Sequence, residues 1–134
     1  MAARTAEREQ FLADIITTAV EGGTGYWASV SQYRWDGLPA RDVFAVLHEE
    51  GDDFSDELAP PLRLDINAVA KGIGKITRGE VEVGEFGSEY NRPLGDYARK
   101  LIAEASREND AGNIDSDMAD IIAQVALLGI VRYG

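Results

Sequence analysis

Glu21-Gly22-Gly23-Thr24-Gly25-Tyr26-Trp27 is the stretch where a periodic helix gives way to an aromatic strand. Upstream, Phe11, Leu12, Ile15, Ile16, Ala19 and Val20 recur at the spacing of one apolar helix face. The glycines are expected to end that helix, because glycine accepts the left-handed backbone of a C-cap without a Cβ clash. Glu21 then falls in the last turn, where the negative end of the macrodipole disfavours a carboxylate by about 0.3–1 kcal/mol. A local rule broken without visible compensation marks a functional or strained position. Glu21 is therefore either solvated or paired with an arginine such as Arg34 or Arg132, or it serves in binding.

Working outward, Thr5 is the expected N-cap of this first helix. On the other side Tyr26 to Trp35 alternates as a strand. Tyr26, Ala28 and Val30 share one face, and Trp27, Ser29, Ser31, Tyr33 and Trp35 share the other. Asp36-Gly37 and Pro39 signal a turn. Val43–His48 is apolar enough to be the central strand, pairing back as an antiparallel hairpin. Glu49 to Glu57 is an acidic exposed loop, closed by Pro60-Pro61.

Leu62-Arg63-Leu64 reads as a short strand that delivers Asp65 as the N-cap of a helix facing inward through Ile66, Val69, Ala70, Ile73 and Ile76. Arg78 to Asn91 is an irregular connection with a brief edge strand at Val81 and Val83. Asn91 is expected to cap a third helix, with Pro93 in its first turn and a stripe of Leu94, Tyr97, Leu101, Ile102 and Ala105. Asn109 to Asn113 is a turn. Asp115 caps the last helix, Met118, Ile121, Ile122, Val125 and Leu128 face the core, and Gly129 ends it. Ile130–Tyr133 is a terminal strand expected to join the sheet. The order predicts a single α+β domain with a small, mostly antiparallel sheet and four helices packed on it.

The 134 residues suit one domain with a real core. No apolar run approaches the ~20 residues that span a bilayer, and Met1-Ala2-Ala3-Arg4 leads directly into the helical pattern without a signal-like core. The chain has no cysteine, which excludes thiolate chemistry and leaves nothing that demands an oxidising compartment, so the cytoplasm is the default expectation. A net charge of −11 opposes direct contact with nucleic acid or anionic membrane, and it serves either plain solubility or attraction of a basic protein partner.

No catalytic apparatus or cofactor motif is recognisable. Lys71-Gly72-Ile73-Gly74-Lys75-Ile76-Thr77 imitates a phosphate loop, yet Val69 and Ile76 stand where that loop needs glycine and a hydroxyl, so the stretch reads as a fraying helix end. Asp115, Asp117 and Asp120 suit a helix N-terminus better than a metal. Asp120 and Gln124 form an i, i+4 polar pair opposite the apolar stripe, facing solvent or a partner. His48 has no nucleophile in a suitable context and sits at a strand end. The strand aromatics are either core or an interface.

Three stretches together resemble small proteins of bacteriophages and prophages. They are the T-A-x-E-G-G-x-x-Y-W pattern ending at Trp27, the segment Leu62-Arg63-Leu64-Asp65 through Lys71-Gly72-Ile73, and a close with Asp115, Ala119-Asp120, Ile122, Gln124, Ala126-Leu127, Gly129 and Gly134. The acidic loop and residues 78–107 are outside the likeness, and Thr24-Gly25 stands where such proteins often have Ile-Asn. The resemblance implies a phage or prophage accessory protein in the host cytoplasm and carries no mechanism.

The leading expectation is a non-enzymatic protein that binds a host or phage macromolecule, as an acidic inhibitor of a basic protein. The alternative is a nucleotide-type ligand binder, in which the Gly22, Gly23 and Gly25 amides approach a phosphate and Tyr26 or Trp27 stacks on a base. A homo-oligomer built on the aromatic stripe is a further option. The candidate binding residues are Glu21, Gly22, Gly23, Tyr26, Trp27, Asp120 and Gln124. They converge if Ile130–Tyr133 pairs beside the Tyr26–Trp35 strand, which would bring Glu21 near Gln124 or Arg132 in a buried network.

Overall fold

The computed structural model describes residues 4–50 and 59–134, so the expectation of an exposed acidic loop past Glu50 lies outside the described residues. Helix α1 (Ala6–Thr18) starts where expected, with the Thr5 hydroxyl accepting from the Arg8 amide. Its end differs. The chain runs on through a π-helical turn, Ala19–Gly23, closed by the Thr24 amide on the Ala19 carbonyl at 2.9 Å. Neither Gly22 nor Gly23 has a positive φ, so neither is the left-handed cap expected of them.

Strand β1 (Ala28–Arg34) pairs antiparallel with β2 (Phe44–Glu49), and β2 with β3 (Leu62–Asp65), giving a sheet of order β1-β2-β3. The hairpin and the central place of β2 are as expected. The two-faced alternation of β1 is not, because its register with β2 shifts between Val30 and Gln32. An extra residue in one strand exchanges the faces on either side of it. Trp27, in the turn before the strand, and Ala28 are both buried, while Trp35, beyond the shift and assigned to the same face as Trp27, is half-exposed. On β2 the buried Ala45 and Leu47 face the helices. The outer face carries Phe44 under the Arg63 guanidinium at 3.9 Å.

Helix α2 (Ile66–Thr77) is capped by Asp65, whose carboxylate accepts from the Ala68 amide. It is continuous through Lys71–Thr77, so the stretch read as fraying is regular helix. Gly72 is there for space: a Cβ would come within 3.1 Å of Ala126 N and Ile122 O on α4 (Ser116–Leu128). Fully buried side chains from α1, α2, α4 and the sheet form one core.

The hairpin β4 (Glu82–Val83) and β5 (Arg92–Pro93) occupies the place where a third helix was expected to begin. Helix α3 (Asp96–Glu108) starts later, after Gly95. Asn91 caps no helix. Its side chain accepts from the Glu85 amide and donates to the Glu85 carbonyl, closing the hairpin loop. Tyr97 consequently lies outside the buried stripe, which is Ala98, Ile102, Ala105 and Ser106.

Asp115 caps α4 by accepting from Met118, and Gly129 ends it at φ +78°. The following segment does not join the main sheet. Val131 makes a parallel bridge to Val83 of β4. No helix among the described residues is long and apolar enough to cross a membrane.

Candidate functional site

The π-helical turn sets the geometry of the site. It delivers Thr24 fully buried, with its hydroxyl on the Ala19 carbonyl, and a tight turn follows in which the Trp27 and Ala28 amides both bond the Thr24 carbonyl. That turn sends Tyr26 outward, 59% exposed, and Trp27 inward, 1% exposed. Gly23 permits the approach to α4, since a Cβ there would be 2.8 Å from the Ser116 carbonyl oxygen and 3.3 Å from Asp120 Cβ.

Across that contact stand Asp120 and Gln124. Asp120 accepts from the Tyr26 hydroxyl at 2.5 Å and from Trp27 Nε1 at 2.7 Å. Gln124 Nε2 donates to both Asp120 oxygens at 3.2 Å and to the Tyr133 carbonyl at 3.1 Å. Its Oε1 accepts from the Arg132 and Tyr133 amides, each at 2.8 Å. The Trp27 and Tyr133 rings stack at 5.2 Å, only 7° from parallel. Among the described residues no buried side-chain nitrogen or oxygen lacks a partner. A network satisfied in this way specifies one arrangement of the segments it joins.

Tyr26, Trp27, Asp120 and Gln124 thus converge as the sequence suggested, but not as a solvent-facing pair opposite an apolar stripe. Asp120 is 7% exposed and Gln124 0%. The reason is that α4 is enclosed on more than one side: Ala119 and Ala123 are buried as well as Ile122 and Val125.

Glu21 is not part of the network. It is exposed and accepts from the Tyr33 hydroxyl at 3.2 Å, and it makes no bond with the expected Gln124 or Arg132. Arg132 instead bridges Glu49 and Glu85. Glu21→Ala should shift stability by no more than about 0.5 kcal/mol, as for other exposed positions, which thermal melting will measure.

The other candidates resolve into structural roles. Asp115 is a cap, and among the described residues no group of three potential ligands is placed to hold a metal. His48 is held at both ring nitrogens, by the Ala59 carbonyl and the Ser31 hydroxyl, each at 2.7 Å. A carbonyl only accepts, so Nδ1 carries a proton and donates to Ala59. Trp27, stacked and buried, has no free face for a base.

The tyrosines of the site titrate late. Burial, then its bond to Glu49, pushes the Tyr133 hydroxyl from 10.0 up to about 12. Tyr26 moves the same way, first through burial and then because Asp120 holds its proton. A raised folded-state value favours the native protein while both states are protonated. That contribution is complete below about pH 10 and is lost as pH rises through the folded values. Urea unfolding across this range should show level stability up to about pH 10 and a steep fall by about pH 12; a fall beginning near pH 8 would contradict the assignment.

Outside the network lies a cleft of about 500 Å³ between the β4–β5 hairpin and α4. Val83, Ile121 and Val131 give it an apolar floor, Tyr26, Asp117 and Asp120 stand along one side, and Arg92 lines it from the hairpin. The hairpin connection carries Phe86 and Tyr90, and the first turn of α3 carries Tyr97, respectively 72%, 86% and 75% exposed. Comparison with protein-family models, curated proteins and solved structures gives no match. Sequence reasoning missed these rings because Phe86 and Tyr90 follow neither the strand nor the helix period, while Tyr97 fell on the helical stripe expected to be buried. For Phe86 and Tyr90 the one signal was the Gly- and Glu-rich context, which places large rings on a loop.

Proposed function

We propose that the protein is a non-enzymatic binding protein that captures a basic partner protein on the face built by the β4–β5 hairpin and the start of α3. The observation that carries this reading is the exposure of three large rings within twelve residues of chain, Phe86 and Tyr90 between the hairpin strands and Tyr97 in the first turn of α3. Large aromatics in water gain by being covered, and such rings are typical anchors of protein interfaces. The net charge of −11 selects a cationic partner and speeds encounter with it. The phage-like motifs support the setting of a phage or prophage accessory protein acting in the host cytoplasm, with inhibition of the captured protein as the outcome.

The test is capture from a bacterial lysate by the wild type and by a variant carrying Phe86→Ser, Tyr90→Ser and Tyr97→Ser. A basic protein should be retained at low salt by the wild type only, and released at several hundred millimolar salt, as expected when the Debye length falls to a few ångströms. Equal capture by both proteins, or recovery of nothing specific, would sink the reading. Self-association that the triple variant abolishes would replace it with the homo-oligomer.

A further inference from the structure

We infer that the cleft between the hairpin and α4 is a pocket for one cationic side chain, an arginine or lysine of the basic partner. The inference rests on the partner reading above and deepens it.

It starts from an uncompensated charge. All the groups that bond Asp120 are donors, as an ionised carboxylate requires, and all are neutral: the Tyr26 hydroxyl, the Trp27 indole and the Gln124 amide. None of the ion pairs among the described residues involves Asp120. A buried carboxylate is normally matched by a cation, because taking it out of water is costly. Here neutral donors alone satisfy both oxygens, no cation is paired with them, and Asp120 is one of the residues lining the open cleft.

The rest of the cleft suits a cation carried on an apolar stem. Asp117 lies one turn before Ile121 on α4, exposed and also outside every ion pair among the described residues. The Tyr26 ring offers a face for a guanidinium or ammonium. Val83, Ile121 and Val131 offer contact for the methylenes that lead to it.

Two features oppose a cation, and both are weaker. Arg92 lines the same cleft, but it is exposed as Asp117 is, so these two screened surface charges roughly offset and the buried Asp120 decides the sign. The N-terminal dipole of α4 is also positive, but Asp115 at its N-cap and Asp117 in its first turn offset it.

The experiment uses the full chain labelled with nitrogen-15, titrated with N-acetyl-arginine amide and, separately, with the neutral isostere N-acetyl-citrulline amide. The two tryptophans give one reporter at the site and one control. The Trp27 indole N–H, bonded to Asp120, should move saturably with the arginine derivative, while Trp35 stays still and citrulline moves neither. Asp117→Asn should raise the midpoint about two- to fivefold, the weight of an exposed charge pair, and Arg92→Ala should lower it. A silent Trp27 signal, an equal response to citrulline, or an unchanged midpoint in Asp117→Asn overturns the pocket. If the pocket fails while lysate capture still depends on Phe86, Tyr90 and Tyr97, the partner reading stands and only this inference falls. Loss of that capture would instead remove the reading on which it rests.

Discussion

Asp120→Ala is expected to lower the unfolding free energy by about 2–4 kcal/mol, the range for stranding buried donors and opening a small void. The donors do not lose equally. Trp27 Nε1–H is sealed from water and has no other acceptor, so it bears the full penalty. The Tyr26 hydroxyl belongs to a side chain that is 59% exposed and can turn to solvent. Gln124 Nε2 keeps the Tyr133 carbonyl.

Asp120→Asn separates shape from charge. Its oxygen can still accept from Trp27, and its amide can donate to the Tyr26 hydroxyl, so it should cost only about 1 kcal/mol. Equilibrium urea unfolding of both variants is the measurement. An alanine variant as stable as the wild type would mean that desolvating the carboxylate cancels everything the network contributes, as happens for some buried charges.

Gly23→Ala is the second large effect, and its neighbours are built-in controls. A methyl group at Gly23 would meet the Ser116 carbonyl oxygen at 2.8 Å, and that atom is backbone in the first turn of α4. Either the π-helical turn or α4 must retreat, which strains the same contact that brings Trp27 to Asp120. A cost of about 1–3 kcal/mol is expected, the usual range for overpacking. At Gly25 nothing lies within 4 Å, and at Gly22 only Ser116 Cβ at an ordinary 3.4 Å. Neither has a positive φ. Alanine at these two sites should be neutral or stabilising by up to about 1 kcal/mol, through the unfolded chain. Melting curves of the three variants will show the contrast, and a Gly23→Ala protein as stable as Gly25→Ala would contradict the close approach.

The parts of this fold that the sequence revealed are those whose causes are local. Thr5, Asp65 and Asp115 each cap the helix that follows them, and a cap needs only the next few residues. Gly129 ends α4 for an equally local reason. Asn91 met the same local rule and failed it, because its side chain found the Glu85 backbone on a hairpin instead. No pattern within the window distinguishes those two partners. Glu21 misled in another way. Its unfavourable place in a helix terminus reflects an exposed side chain on a π-helical turn, and that extra residue leaves no periodic trace. Asp120 and Gln124 were identified from the sequence yet placed on the wrong side of α4, because which faces of a helix are covered is decided by distant segments. The buried alanines beside them carried the missing signal.

The network also constrains the order in which the chain assembles. Its central bonds join Tyr26 and Trp27 to Asp120 across 94 and 93 positions of sequence. Loops of that size close late, after local helices and the β1–β2 hairpin have formed, because their closure entropy is repaid only when much of the core is in place. Contacts absent from the transition state act on the rate of unfolding and leave the rate of folding nearly unchanged. The clasp between the two ends of the chain therefore acts as a kinetic lock, setting how long the native molecule persists once formed and not how quickly it is reached.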